Sequence, residues 1–222
     1  MPILDPETTR SLLDALAVVL LGITLGSVLA HRLDHAIFLL AAQGIILTGA
    51  ATVAALAGGG SHGAAAVALT LAVKVLGIPG VLLFALREVH APREMEVTLP
   101  YRLALPVAVG LVLVAYRVVG PLGPLDAFGT HNALPVSIAM LLVGLFTMLI
   151  RKKALSQVGG LVTMENGIYF AALTATHGLP LPVELGIALD LLVGVAVMAL
   201  VSRQIHRAFA TTDTDRLRSL RG

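Results

Sequence analysis

The stretch AIFLLAAQGIILTGAATVAALA, residues 36–57, decides the fold class of this chain. It contains no charged side chain, and its only strongly polar residue is Gln43. A helix rises about 1.5 Å per residue, so a helix of this length crosses the roughly 30 Å hydrocarbon core of a bilayer. The stretch is therefore predicted to be a transmembrane helix.

Six further apolar runs of similar length surround it: 11–30, 63–86, 103–119, 131–150, 154–176 and 183–202. Hydrophobic residues make up 57% of the 222 residues and charged residues only 13%, about half the roughly 25% of a soluble domain. These few charges are not enough to cover a water-facing surface. The prediction is an all-α, polytopic membrane protein with seven transmembrane helices. Gly22 and Gly26 in the first run form a Gly-x-x-x-Gly pair that permits close helix packing.

The distribution of positive charge predicts the orientation of these helices. When the connectors are assigned alternately to the two sides, 12 of the 15 lysines and arginines fall on one side. The other side carries Arg10 and Arg117, and Lys74 lies within a span. Lysine and arginine remain cytoplasmic in most membrane proteins. The N-terminus is therefore predicted outside and the C-terminus inside the cytoplasmic (inner) membrane, with a tail at 208–222.

Several functions are excluded by residue types. The chain has no cysteine, so it offers no thiolate for an iron–sulfur cluster or a zinc site. No histidine lies in the middle of a predicted span, which argues against axial haem ligation. The basic residues lie at helix ends rather than in one patch, so no nucleic-acid partner is expected. We predict no catalytic residue, no metal and no cofactor in this chain.

Three ionisable residues lie near the centres of predicted spans: Lys74, Glu165 and Asp190. All three should lie within roughly 5 Å of one plane of the membrane. A lone charge at this depth costs about 2.5–3.5 kcal/mol, so the three are expected to face one another inside the bundle or partner subunits. Carboxylates and lysines placed in this way are typical stations of a proton relay. The alternative is a structural ion pair between Lys74 and one acid. The polar side chains expected to support this pathway are Gln43, Asn166 and Tyr169.

Two motifs around these charges resemble a known family. The segments GGLVTMENG, residues 159–167, and ELGIALD, residues 184–190, resemble hydrogenase-4 component E, the HyfE family. The segment KVLGIP, residues 74–79, is similar to the Lys-Val-Leu-x-x-Pro pattern of that family. The last three predicted helices, within 131–207, also resemble the NuoK subunit of respiratory complex I and the MrpC subunit of sodium/proton antiporters. The chain would thus consist of a four-helix part at 1–130, the NuoK-like part and the tail.

The resemblance implies a membrane subunit of a complex I-like hydrogenase of the formate hydrogenlyase type. Such a subunit has no redox centre and lies between a hydrogenase-side membrane subunit and antiporter-like subunits. Nickel–iron and iron–sulfur clusters would belong to peripheral partner subunits. Glu165 and Asp190 would take the places of the two buried carboxylates of NuoK-type proteins. Asp190 is one methylene shorter than the usual glutamate.

Two other readings remain open at this point. The chain could be a subunit of a Mrp-type cation/proton antiporter without a redox arm, although the four additional N-terminal helices favour the hydrogenase family. It could also be a passive structural subunit whose buried charges are interface ion pairs. The sequence leaves open the electron donor, the identity of the ion and whether protons cross the membrane or charge is relayed laterally.

Overall fold

The structure of the chain, a computed structural model, describes residues 4–58, 63–88, 97–123, 126–152 and 154–176, and the single residue 194. The described part is largely helical, and an isolated β-bridge joins Val97 and Arg151. The predicted span 183–202, with Asp190, and the tail 208–222 lie outside the described residues. The helices are α1 (Pro6–Val28), α2 (Leu33–Gly58), α3 (Gly63–Thr70), a π-helical segment (Leu71–Gly77), α4 (Ile78–Glu88), α5 (Tyr101–Val119), a 3₁₀ turn (Gly120–Leu122), α6 (Ala133–Ile150) and α7 (Ala154–Ala175).

Five of these helical stretches are long and apolar enough to cross a membrane: Pro6–Val28, Leu33–Gly58, Gly63–Arg87, Arg102–Leu122 and Ala133–Ile150. They correspond to the first five predicted spans. The sixth predicted span, 154–176, is helical as α7. The total of seven spans and the orientation stay predictions. Large apolar side chains cover the outside of the described bundle, as expected for a lipid-facing surface: Phe38, Phe84, Leu113, Val118 and Leu149.

The first helix begins at a capping residue in front of the apolar run. Asp5 has extended backbone geometry, and its carboxylate accepts a hydrogen bond from the backbone N–H of Thr8 at 3.1 Å. Pro6 follows at the first helical position, where no backbone N–H is needed. Hydrogen bonds from the side chain and the backbone of Thr8 lower the pKa of Asp5 below its ordinary value of 3.8. This cap places the start of the helix immediately before the membrane-spanning residues.

The third membrane-crossing rod is a continuous run of α3, the π-helical segment and α4. Proline lacks a backbone N–H, and its ring collides with the carbonyl four residues earlier in a regular α-helix. Pro79 follows the π-helical segment directly, and the N–H of Ile78 donates to the carbonyl of Val73, five residues back. The wider turn thus accommodates the disturbance expected at Pro79 without ending the helix.

One side of this rod is buried against α2 and α7. A π-turn rotates the chain by fewer degrees per residue than an α-turn, so residues four apart stay aligned on one face. The approach to α2 is close at Gly44, where a Cβ atom would lie 2.7 Å from the carbonyl oxygen of Lys74. A glycine is therefore required at that position. The aligned buried residues of the rod are Thr70, Lys74, Ile78 and Leu82.

Helices α6 and α7 pack antiparallel with their backbones in contact. A Cβ atom on Gly144 would lie 2.7 Å from the carbonyl oxygen of Gly160, and one on Gly160 would lie 2.6 Å from that of Gly144. Farther along, a Cβ on Gly167 would lie 2.7 Å from the carbonyl oxygen of Ser137. We call these three glycines the glycine seam. Only residues without a side chain permit this separation, so the seam sets the rotation of α7 about its axis.

The C-terminal end of α6 is attached to the C-terminal end of α1 through the buried guanidinium group of Arg151. Arg151 is 2% exposed, and its Nη2 donates to the carbonyl oxygens of Val28 at 3.2 Å and Ala30 at 3.0 Å. These carbonyls form the negative end of the α1 dipole, where a cation is favourable. Next to it, the N–H of Thr98 donates to the carbonyl of Ile150 at 2.8 Å. Arg151 therefore joins three parts of the chain rather than only adding charge to a connector.

Candidate functional site

Lys74 and Glu165 form an ion pair inside the bundle. The Nζ of Lys74 donates to Oε1 of Glu165 at 2.7 Å and to Oε2 at 2.5 Å. Their side chains are 7% and 13% exposed. Lys74 lies on the π-helical segment, and Glu165 lies near the middle of α7. A pair at this depth avoids the cost of two separate charges in an apolar environment.

Two amide side chains extend the pair toward the N-terminal helices. The Nζ of Lys74 also donates to Oδ1 of Asn166 at 2.9 Å. The Nδ2 of Asn166 donates to Oε1 of Gln43 at 2.9 Å, and the Nε2 of Gln43 donates to Oγ1 of Thr24 at 3.2 Å. Asn166, Gln43 and Thr24 are each at most 1% exposed. The result is a continuous polar network that crosses the interior from the rod through α7 and α2 to α1.

Tyr169 lies on the other side of the ammonium group, one turn after Glu165. Its ring centroid is 4.6 Å from the Nζ of Lys74, a separation at which a cation is attracted to an aromatic face. Its hydroxyl lies 2.7 Å from Oγ1 of Thr70, and the Thr70 hydroxyl donates to the carbonyl of Ala66 at 3.0 Å. Either hydroxyl can be the donor in the contact between Tyr169 and Thr70, because each carries one proton and can also accept.

The structure brings together five of the six residues expected to form or support the proton pathway: Lys74, Glu165, Gln43, Asn166 and Tyr169. The sixth, Asp190, lies outside the described residues. Thr24 and Thr70 belong to the network but were not predicted. Threonines in apolar helices usually donate to their own backbone, as Thr24 does to the carbonyl of Leu20 at 2.8 Å, so the sequence carries no signal for a second role.

The arrangement can hold and exchange protons at two groups, the amine of Lys74 and the carboxyl group of Glu165. Lysine and glutamate can each gain or lose a proton, and their nitrogen and oxygen atoms are already within hydrogen-bond distance. The amides and hydroxyls around them satisfy the charged forms without competing for the proton. Within the ranges that the structure describes, no group of three or more histidines and acids could hold a metal ion.

A second polar group lies at the N-terminal end of α6. The carboxylate of Asp14 accepts the backbone N–H groups of Asn132 at 2.8 Å and His131 at 3.1 Å. The hydroxyl of Tyr116 donates to Oδ1 of Asn132 at 3.2 Å, and Arg10 contacts the His131 ring. An acid at this end of a helix is stabilised by the positive pole of the dipole. Asp14 therefore caps α6 from the side of α1.

Comparison with known proteins gives two kinds of relatives. An uncharacterized protein of Mycobacterium tuberculosis is 37% identical over 152 residues, which cover 68% of this chain and 69% of that protein. Hydrogenase-4 component E of Escherichia coli K12 is 34% identical over 151 residues, which cover 67% of this chain and 69% of that protein. No protein-family model matches the chain. No solved structure matches it either.

Proposed function

Because the chain belongs to the hydrogenase-4 component E family, we propose that it is a subunit of a membrane-bound, complex I-like hydrogenase. Its apolar helices make it a multi-pass membrane protein. In the proposed assembly of the formate hydrogenlyase type, it contributes buried charges to an axis of proton translocation. In this proposal, the catalytic centre lies on partner subunits.

The observation that carries the proton-translocating role is the ion pair between Lys74 and Glu165. A buried ion pair stabilises a fold poorly compared with apolar residues of similar volume, because both charges must leave water. This pair lies at mid-helix on two elements and is surrounded by side chains that satisfy it. We therefore assign proton transfer to Lys74 and Glu165. Asp190 is proposed as the next station.

The surroundings of the chain follow from the same proposal. Antiporter-like membrane subunits and a hydrogenase-side membrane subunit would pack against it in the inner membrane. Peripheral subunits would hold the nickel–iron site and the iron–sulfur clusters. The seven spans would place the N-terminus outside and the tail in the cytoplasm. Redox events in the peripheral subunits would then change the protonation of the buried charges.

Mass spectrometry of the subunits that co-purify in mild detergent tests the proposed assembly. A NiFe large subunit, iron–sulfur proteins and antiporter-like subunits are the expected partners. Recovery of antiporter subunits alone would contradict the hydrogenase assignment and would make the chain part of a cation/proton antiporter. This experiment also identifies the electron donor, since the donor site would lie on a co-purifying subunit.

The variant Glu165→Gln tests the role of the ion pair. It keeps the shape of the side chain and one oxygen that can accept from Lys74, but it removes the negative charge and the ability to exchange a proton. In inside-out vesicles, redox-driven acidification should fall at least about tenfold while all subunits still co-purify. Glu7→Gln, the same change at an exposed acid in the first turn of α1, is the matched control and should acidify normally. Full acidification by Glu165→Gln, or failure of that variant to assemble, would contradict the proposed role.

A further inference from the structure

One branch of the polar network leads away from the ion pair to α1. It begins at the Nζ of Lys74, passes through the side chains of Asn166 and Gln43, and reaches the hydroxyl of Thr24. Thr24 then donates to the carbonyl oxygen of Leu20 at 2.8 Å. The proton-transfer role proposed above uses neither Gln43 nor Thr24. Both side chains are 0% exposed, so contact with water does not explain why polar residues occupy these two positions.

The chemistry of the groups fixes the direction of every hydrogen bond in this branch. A lysine ammonium has donors only, so Asn166 must turn its oxygen toward Lys74. The NH₂ group of Asn166 is then directed at Gln43, which must present its own oxygen. The NH₂ group of Gln43 reaches Thr24, and the Thr24 proton is directed at the carbonyl of Leu20. Each side chain thus accepts on the side of Lys74 and donates on the side of α1.

Two consequences follow from this single direction. Each amide dipole has its negative end toward the ammonium group, so the branch favours Lys74 in its charged form and at its observed position. Amide side chains do not take up or release protons at physiological pH, and the branch ends at a backbone carbonyl. The proton's route from Lys74 therefore lies on the side of Glu165 and not along this branch.

We infer that Gln43, oriented by Thr24, is a positioning residue that holds the amide oxygen of Asn166 against Lys74. This inference rests on the proposed function, since positioning of Lys74 matters only where Lys74 exchanges a proton. Substitution of Thr24 gives the most specific test of this inference. Thr24 contacts neither Lys74 nor Glu165 in the hydrogen bonds described, and it influences them only through the two amides.

The test compares Thr24→Val with Thr24→Ser in the assembled complex. Valine has the shape of threonine but no acceptor for Gln43, whereas serine keeps the hydroxyl. Vesicle acidification per hydrogen turned over should fall about threefold to tenfold in Thr24→Val and remain at the wild-type level in Thr24→Ser. Thr147→Val is the matched control. Thr147 is also buried, but its hydroxyl donates only within α6, to the carbonyl of Val143 at 2.7 Å.

The outcomes separate this inference from the proposed function. Normal acidification by Thr24→Val, together with loss of acidification by Glu165→Gln, would overturn the positioning role alone. Normal acidification by Glu165→Gln would overturn the proposed function itself. Thr24→Ala is measured in parallel, in case the volume of valine disturbs assembly. Failure of both Thr24→Val and Thr24→Ala to assemble would show that the hydroxyl holds the bundle together, and would also overturn the inference.

Discussion

The glycine seam between α6 and α7 makes a quantitative prediction for Gly160→Ala. The new Cβ would lie 2.6 Å from the carbonyl oxygen of Gly144 and 2.8 Å from the backbone nitrogen of Met148. An ordinary contact begins at 3.4 Å, so the helices must separate by about 0.8 Å. Cγ of Met148 would also lie 2.7 Å away and could rotate aside, but the other two obstructing atoms belong to the backbone, so side-chain rotation alone cannot relieve the contact. Overpacking of this kind typically costs about 1–3 kcal/mol.

The adjacent glycine provides the control for this prediction. Among the residues that the structure describes, a Cβ on Gly159 would meet only Cδ1 of Leu40, at 4.0 Å, which is an ordinary contact. Replacement of a mid-helix glycine by alanine is favourable by about 1 kcal/mol through backbone propensity, and both variants gain this equally. The difference between Gly160→Ala and Gly159→Ala therefore isolates the overpacking, about 1–3 kcal/mol in favour of Gly159→Ala.

The assay is the thermal unfolding midpoint of each variant, purified in the same mild detergent. Gly160→Ala should unfold several degrees below Gly159→Ala, since about 1 kcal/mol shifts the midpoint of a chain of this size by roughly 2–4 °C. Equal midpoints for the two variants would refute the backbone contact between α6 and α7. A midpoint for Gly160→Ala above that of the wild type would refute it as well.

Three further perturbations follow from the described contacts. Arg151→Gln removes charged donors from the C-terminal carbonyls of α1 and should lower stability by about 1.5–3 kcal/mol, read as a lower unfolding midpoint. Gly44→Ala places a Cβ 2.7 Å from the backbone oxygen of Lys74, so vesicle acidification should fall together with the midpoint. Asp5→Ala tests the cap of α1. Because the pKa of Asp5 is lowered in the folded chain, its stabilising effect is present above about pH 4 and is lost as the pH falls below its ordinary pKa. The midpoint difference between wild type and Asp5→Ala should therefore be largest at neutral pH and narrow between pH 5 and pH 3; a constant difference would contradict the assignment.

The location of the polar site could be predicted from the sequence because charges are costly in lipid. Lys74 and Glu165 each interrupt an apolar run near its centre, and the simplest way to reduce the cost is to pair them. The same reasoning applies to Gln43 and Asn166, whose amides need partners at that depth. The structure places all four in one hydrogen-bonded network. Depth along a helix is readable from sequence because the rise per residue is constant.

The rotation of each helix could not be predicted in the same way. A helix such as α2 is apolar on all sides, because its outside faces lipid, and no polar stripe marks the outer face. Gly22 and Gly26 suggested close packing, yet a Cβ on either meets nothing within 4 Å in the described part of the chain. Gly144 and Gly160 make close backbone contacts between α6 and α7, but in the sequence they resemble any other small residue.

Two other features were visible in the sequence only as incomplete signals. Pro79 indicated a disturbed helix. A kink, a break and a π-helical segment can each accommodate a residue without an N–H group, so the sequence did not distinguish among them. In the sequence, Arg151 was only one of the positive charges in a connector predicted to be cytoplasmic. Its buried contacts depend on the distance between the ends of α1 and α6. Such distances arise from packing and have no local pattern.

The glycine seam also has a mechanical consequence for the ion pair. The backbone contacts of the seam leave little room for α7 to rotate against α6, so they fix the direction in which Glu165 leaves α7. Lys74 lies on the π-helical segment, which is held just as closely against Gly44 of α2. The separation of the lysine and the carboxylate is therefore set by two glycine contacts, one on each side of the ion pair, and a side chain introduced at either contact would change that separation.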